Sequence, residues 1–513
     1  MNRKRILALV LAMMLAVAAT PALAQAELPF LAKPQTFTAM VAYEASNLID
    51  WNEKPYYKKL SEETNVFFDF VTLNDWSTQT KLAIASNELP DVFMGQISNM
   101  DDNLELFWDL TDLIPQYAPS LAELYEQEPA ILAGSKSRDG RIYTLQASAT
   151  WTLADAIGSV FWINQKWLDA VGMKNPTNLE ELYAVLIAFR DGDPNGNGIA
   201  DEIPMSFCES YWAGKMGDLF GPFGVLYSTD TYVQVDDAGK VLFQPQQQGF
   251  YEGLKWLNKL CAENLLDQEG FSQTGDQYKA KISQDMLGVC VRFDPRNYCD
   301  AFVPLNPILN AEGTTMVGGV KEPGAAKRIS ITKKCEHPEA ILQYYEYINC
   351  DQLRKLTERY GEKGVYWDFE GEGPQYVTHD YDSQPPTGYE FWDQYLYSMG
   401  GTGYNCFNFI SVKEQANNIT PLTMRDEGVQ KLMPYFCENV FHKGALSEQE
   451  SSELNMLYVE IDAYTQNFVA SAVFEGIDDA KWQAHLDACK ALQVERYTQL
   501  RQQSNDAYLS LLK

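Results

Sequence analysis

Between Thr36 and Met94 the sequence alternates short apolar runs with stretches of helical periodicity, and this alternation narrows the fold more than any other feature. Thr36–Ala42 (TFTAMVA), Val66–Val71 (VFFDFV) and Val92-Phe93-Met94 are rich in β-branched and aromatic residues and read as strands. Glu53–Glu63 and Trp76–Ser86, lying between them, have the length and spacing of helices. Strands separated by helices of this length predict a parallel sheet with helical crossovers. Ligands of such sheets sit at the carboxyl ends of the strands. The loops after Ala42 and Met94, which carry Tyr43, Glu44, Gly95 and Gln96, are therefore expected to face one.

A second α/β stretch begins near Ser159-Val160-Phe161-Trp162. After Pro176, Thr177 and Glu180 form a T-x-x-E capping box for a helix whose face is Leu179, Leu182, Leu186 and Phe189. Phe250–Leu265 reads as helix and Met286–Val291 as strand. Met316–Val320, with its glycine pair, and then Arg328–Thr332 predict a return of the chain into the first sheet. From Glu453 onward the pattern is helical, with Leu457, Ile461, Tyr464, Phe468 and Val469 on one stripe. Trp76, Trp108, Trp162 and Trp167 lie in amphipathic patterns or beside strands and are expected in the core. The expected architecture is two α/β lobes with discontinuous boundaries. Residues 36–150 plus about 320–365 form the N-terminal lobe, and 151–319 plus about 366–513 the C-terminal lobe.

Composition limits what these lobes can serve. Against 40 Lys and Arg stand 70 Asp and Glu, a formal charge of −30, which argues against nucleic acid and against an anionic membrane surface as partners. Met1–Ala24 reads as a secretory signal peptide. Arg3, Lys4 and Arg5 precede the apolar run Ile6–Ala19, and Ala22-Leu23-Ala24 fits the cleavage site. That run is too short to span a membrane, and no Cys follows the cleavage point to carry a lipid anchor. The mature chain is expected to be exported, extracellular or periplasmic, and soluble. Nine cysteines without a CxxC pair read mostly as buried apolar filler, at least one of them unpaired.

The densest chemistry is Asp191-Gly-Asp-Pro-Asn-Gly-Asn-Gly-Ile-Ala-Asp-Glu202. Oxygen-bearing side chains at alternate positions, with glycines between them, suit a hard cation that takes six to eight oxygens at about 2.3–2.6 Å. Two registers compete. From Asp191 the loop satisfies D-x-D-x-N-G-x5-E, with Gly196 sixth and Glu202 twelfth. From Asp193 the ligands are Asp193, Asn195, Asn197, the Ile199 carbonyl, Asp201 and Glu202. Calcium is favoured over magnesium, which resists giving up its water shell. It is expected to be a structural ion.

The run Trp162-Ile-Asn-Gln-Lys-Trp167-Leu-Asp-Ala-Val-Gly172, then Pro176-Thr-Asn-Leu-Glu180-Glu-Leu, then Ala188-Phe189-Arg190 feeding the Asp/Asn/Gly loop, resembles the family 1 extracellular solute-binding proteins of ABC importers. In particular it resembles their long, calcium-loop subgroup that handles oligosaccharides. Ala85-Ser-Asn-Glu-Leu-Pro90-Asp91-Val92, Ile331-Thr-Lys-Lys-Cys-Glu-His-Pro338-Glu-Ala and Gly361-Glu-Lys-Gly364-Val-Tyr-Trp367 agree with it. The resemblance implies a class II periplasmic-binding-protein-like fold. Each lobe is then a mostly parallel sheet flanked by helices, with a hinge between the lobes and extra C-terminal helices. It implies a monomer that captures an oligosaccharide in the interlobe cleft and delivers it to the permease subunits of the transporter. It also implies the metal register that starts at Asp193, with Asp191 outside the ligand set.

A sugar presents C–H faces that stack on aromatic rings and hydroxyls that need paired donors and acceptors. The candidate platforms are Trp151, Trp212 and Trp367, and the candidate polar partners are Glu44, Gln96 and Arg292. The acidic surface favours a neutral oligosaccharide unless the site is locally basic. A secreted carbohydrate-active enzyme is the rival class. The chain has neither an HExxH helix nor a G-x-S-x-G elbow, and of its four histidines (337, 379, 442, 485) neither His337, in a turn before Pro338, nor His485, on a helix, has a triad-like setting, so no catalysis is expected. A sugar-binding adhesin or sensor subunit is the other alternative.

Overall fold

A computed structural model of the protein describes residues 28–43, 47–97, 100–146, 157–319, 327–365, 368–369, 376–377, 387–389, 395, 398–401 and 424–512. The expected signal peptide lies outside them, as do Glu44, Trp151 and Trp367. In chain order, the elements that build the sheets and their packing begin with β1 (Gln35–Ala42), α1 (Pro55–Thr64), β2 (Val66–Leu73), α2 (Trp76–Ser86), β3 (Val92–Met94) and β4 (Thr144–Gln146), with further helices between β3 and β4. They are followed by β5 (Val160–Asn164), α3 (Gln165–Val171), α4 (Leu179–Asp191), β6 (Ile203–Ser206), the hairpin β7 (Val233–Val235) and β8 (Val241–Phe243), and α5 (Gln248–Ala262). Next come α6 (Gly275–Ser283), β9 (Leu287–Arg292), β10 (Phe302–Pro304), β11 (Lys327–Ile331) and α7 (Pro338–Asn349). The helices α8 (Met424–Leu432), α9 (Glu448–Glu475), α10 (Asp479–Ala491) and α11 (Val494–Ser510) follow.

The chain divides into two compact units. One is Met1–Ser148, Ala326–Asp368 and Thr378–Phe407; the other is Ala149–Ala325, Phe369–Val377 and Asn408–Lys513. In the first unit the strand order is β2-β1-β3-β11-β4. β1 runs parallel to β2 and β3, as the strand–helix alternation predicts. β11 pairs antiparallel with both β3 and β4. Phe37, Ala39 and Val41 of β1, Phe93 of β3 and Ile331 of β11 are buried, so the sheet centre is covered on the faces these side chains occupy.

In the second unit the order is β10-β5-β9-β6, with β6 parallel to β9 and the other two pairings antiparallel. Both sheets are thus mixed, where mostly parallel sheets were expected. The antiparallel strands come from distant parts of the chain: β11 enters its sheet some 230 residues after its neighbour β3, and β9 enters well over 100 residues after β5. They are therefore not tied to the short right-handed crossovers that enforce parallel pairing.

One contact fixes α4 on this sheet. Trp167 of α3 and Phe189 of α4 are fully buried and meet edge-to-face at 5.3 Å. Phe189 lies so close to β9 that a Cβ at Gly288 would sit 2.3 Å from its ring. The sheet needs a glycine there to admit the helix. The helix starts one residue later than the T-x-x-E box predicts. Asn178 is the cap, its Oδ1 accepting from the Glu181 N–H at 2.9 Å, and Glu181 accepts in turn from Thr177. Among the described residues no helix is long and apolar enough to cross a membrane. Cys208, Cys261, Cys290, Cys335 and Cys489 are free thiols buried in the interior.

Candidate functional site

The Asp/Asn/Gly loop joins the end of α4 to β6, so both of its ends are held by the second unit's sheet. Its backbone is the left-handed kind such a loop requires, with φ of 45° at Asp193, 73° at Gly196 and 74° at Gly198. The Asp193 carboxylate accepts from the Gly198 N–H at 3.1 Å. Asn195 and Asn197 both donate their amides to Asp201, each at 3.1 Å. Glu202 buries its Oε1 without a hydrogen-bond partner. Burial, with Asp201 and Asp193 nearby, pushes its carboxyl above the usual range.

Among the described residues no three acidic, histidine or cysteine groups are gathered at metal-ligating distance. The donor set nonetheless fits a hard cation. The oxygens belong to one loop, Glu202 has a buried oxygen with no donor, and the Asn195 and Asn197 side-chain oxygens, which accept from the Asn197 and Ile199 N–H groups, each keep a second lone pair. Asp191 is engaged elsewhere, accepting from the Arg190 guanidinium at 2.7 and 3.0 Å.

At the carboxyl end of β9 a second constellation assembles. Arg292, the last residue of the strand, is 7% exposed, and its guanidinium lies between the rings of Tyr211 at 4.6 Å and Tyr298 at 4.8 Å. Its Nη1 is buried without an acceptor. Beside it Trp212 is 62% exposed, a large area for an indole to leave in water. This ring packs against Tyr211 at 5.8 Å and Phe293 at 5.7 Å, and a Cβ at Gly158 would approach it to 3.3 Å.

Buried Arg425 of α8 pins this floor. It donates Nε to the Phe293 carbonyl at 2.8 Å and Nη2 to the Ile157 carbonyl, and its guanidinium lies 3.9 Å over the Phe293 ring. The structure brings predicted Trp212 and Arg292 into one cluster. Tyr211, Phe293, Tyr298 and Arg425 were missed. Tyr211 and Phe293 flank residues already singled out and were legible as neighbours, whereas Tyr298 flanks none of them. Arg425 lies 132 residues from Phe293, and no local signal points to it.

Gln96 belongs to the first unit and is exposed just past β3. Its carbonyl accepts from the Trp76 Nε1–H at 2.7 Å. Trp76 itself, expected in the core, is only half-buried. Trp162 and Trp167 are fully buried as expected, whereas Trp108 is half-buried, with its Nε1–H donated to the Cys335 carbonyl at 3.0 Å.

The architecture matches solved structures over nearly its full extent. FusA of Streptococcus pneumoniae in complex with kestose superposes with a TM-score of 0.79 at 22% identity, covering 93% of this chain and 100% of that one. The fold is that of the ABC-transporter substrate-binding proteins. A FusA EF-hand mutant in complex with fructo-nystose shares this substrate-binding fold at a TM-score of 0.79 and 21% identity, over 93% of this chain and 100% of that one. So does an HMO-binding, ABC-transporter-associated solute-binding protein of Bifidobacterium longum infantis, at 0.76 and 18%, over 93% of this chain and 99% of the other. In sequence, the chain is 31% identical over 281 residues to FusA, a fructooligosaccharide ABC transporter substrate-binding protein. That match spans 52% of this chain and about half, 51%, of FusA's length. No family model matches the chain.

Proposed function

We propose that the protein is the extracellular substrate-binding component of an ABC importer, that it captures an oligosaccharide as a monomer, and that it hands the sugar to a membrane permease without chemical change. The observation that carries this reading is Trp212. A solvent-facing indole, supported from behind by Phe293 and backbone at Gly158, offers the apolar face on which a sugar ring stacks. Arg292, held between two tyrosines with hydrogen-bonding capacity unspent, supplies donors for sugar oxygens beside it. The relationship to a fructooligosaccharide-binding protein supports the same ligand class. Trp151, Trp367, Glu44 and Gln96 complete the proposed set of sugar contacts.

The same reading includes a structural Ca²⁺ held by Asp193, Asn195, Asn197, the Ile199 carbonyl, Asp201 and Glu202. The ion would offset two of the three carboxylate charges and rigidify the connection from α4 into the sheet. A related fold being described as an EF-hand mutant supports it.

Isothermal calorimetry with a panel of neutral and acidic oligosaccharides, followed by chromatography of the recovered sugar, tests the assignment. Binding with the sugar recovered intact is the expected result; shortened products would make the protein an enzyme instead. Trp212→Ala is expected to weaken binding about tenfold or more, equivalent to about 1.4 kcal/mol. Its melting curve should be close to wild type, because the ring is mostly outside the core. A variant that binds normally would remove Trp212 from the site.

A further inference from the structure

We propose that Trp76 is a second sugar-stacking platform, in the first unit, and that Gly95 exists in its present form to hold the indole there. This deepens the oligosaccharide reading above and rests on it. Its evidence is independent, coming from the other sheet. Trp76 opens α2, whose cap Asp75 accepts from the Thr78 N–H at 3.0 Å, so the ring is projected from a fixed helix start. A Cβ at Gly95 would lie 2.4 Å from Cζ2 of the indole and 2.7 and 2.8 Å from the two ring atoms flanking it. Those three distances describe a point above the ring face, since a point beyond the ring edge would be markedly farther from the flanking atoms. The indole therefore lies flat on the glycine backbone. Its Nε1–H is donated to the Gln96 carbonyl, and Phe93 meets it at 6.3 Å with rings nearly perpendicular.

An indole spread on a glycine, with its one polar atom satisfied, is oriented like a ligand platform, and it remains half-buried where the core tryptophans Trp162 and Trp167 are closed. Its place in the sheet agrees. β1 and β3 run parallel with Val41 beside Met94, and two residues beyond these stand exposed Tyr43 and exposed Gln96. Tyr43 and Gln96 thus stand at the carboxyl ends of two parallel strands, the edge at which α/β sheets bind ligands, and Trp76 is tied to that edge through the Gln96 carbonyl. The ligand class is a sugar ring. Its C–H face would lie on the indole, and its hydroxyls would be within reach of the Gln96 amide and the Tyr43 hydroxyl.

Hydroxyl-radical footprinting of the full-length wild-type protein, with and without a mixture of neutral tri- and tetrasaccharides that includes kestose, tests this without any substitution. Protection of both Trp76 and Trp212 is the expected result. Protection of Trp212 alone overturns the second platform and leaves the oligosaccharide reading intact. Protection of neither overturns both. As a second measurement, Trp76→Ala should weaken binding of the protecting sugar at least tenfold, Trp76→Phe should restore most of it, and Gly95→Ala, which displaces the ring, should resemble Trp76→Ala. Wild-type affinity in a folded Trp76→Ala protein would also overturn the proposal.

Discussion

Chelating calcium should lower the melting temperature of the unit that carries the Asp/Asn/Gly loop, and Asp193→Ala should make the protein indifferent to chelation. Four carboxylates, Asp191, Asp193, Asp201 and Glu202, stand within twelve residues. Arg190 pairs with Asp191 and holds its carboxyl below the usual range, but this leaves three acids to one another. Removing a bound cation returns their repulsion and leaves Glu202 with a buried oxygen that has no donor. At calcium 100 times above Kd the linkage stabilises by about 2.7 kcal/mol. For a unit of this size that is a shift of roughly 4–6 °C. Asp191→Ala should preserve the calcium response, because that side chain already serves Arg190, and this separates the two registers. Identical melts with and without EDTA, with metal removal confirmed by atomic absorption, would end the calcium assignment.

Acid should destabilise the second unit through one residue, His485. The side chain is 1% exposed, stacked on Phe468 at 3.8 Å and beside Trp482 at 5.1 Å. Nε2 lies 2.8 Å from the Pro245 carbonyl, which can only accept, so Nε2 carries the proton and Nδ1 accepts from the Tyr464 hydroxyl at 3.1 Å. Both nitrogens of the neutral ring are therefore satisfied. Burial lowers the pKa from 6.5 to about 4. Above pH 6.5 the ring is neutral in both the folded and unfolded chain, and its full contribution is present. As pH falls from 6.5 to 4 the unfolded chain takes up the proton first, and stability is lost. At roughly 1.4 kcal/mol per pH unit the loss reaches about 3 kcal/mol. His485→Gln should be less stable at pH 7.5 yet lose less on transfer to pH 4.5, read as the difference between the two proteins' melting shifts. Equal shifts would mean that His485 is not the acid-sensitive group.

Local signals were legible and distant ones were not. α2 occupies Trp76–Ser86 as expected because both ends are marked by neighbours in sequence. Asp75 caps the start, and Asn87 at φ 57° turns the chain out at the other end. At α4 the T-x-x-E frame placed the cap at Thr177, one residue before the observed cap Asn178, because periodicity does not fix the first turn of a helix. Sheet direction depends on strands such as β11 that arrive from far along the chain, so the mixed pairing had no local trace. The same limit hid Arg425 beneath Phe293. Trp76 packs against the first unit's core but is only half-buried, because a helical pattern reports which residues share a face and not how completely that face is covered. The Trp212 and Arg292 cluster was half visible, because exposure follows tertiary packing while position after a strand follows sequence.

The second unit's core draws on α11, more than 300 residues beyond α4 in sequence. Val494, Tyr497 and Leu500 of α11 are buried in the cluster that holds Trp167, Phe189 and Leu254, and the Tyr497 hydroxyl donates to the Thr231 carbonyl at 2.7 Å. A polypeptide emerging amino end first therefore cannot close this core until residue 500 has been made. Synthesis and folding of the unit are separated in time, and a nascent chain interrupted before residue 494 carries exposed apolar surface that quality-control proteases recognise.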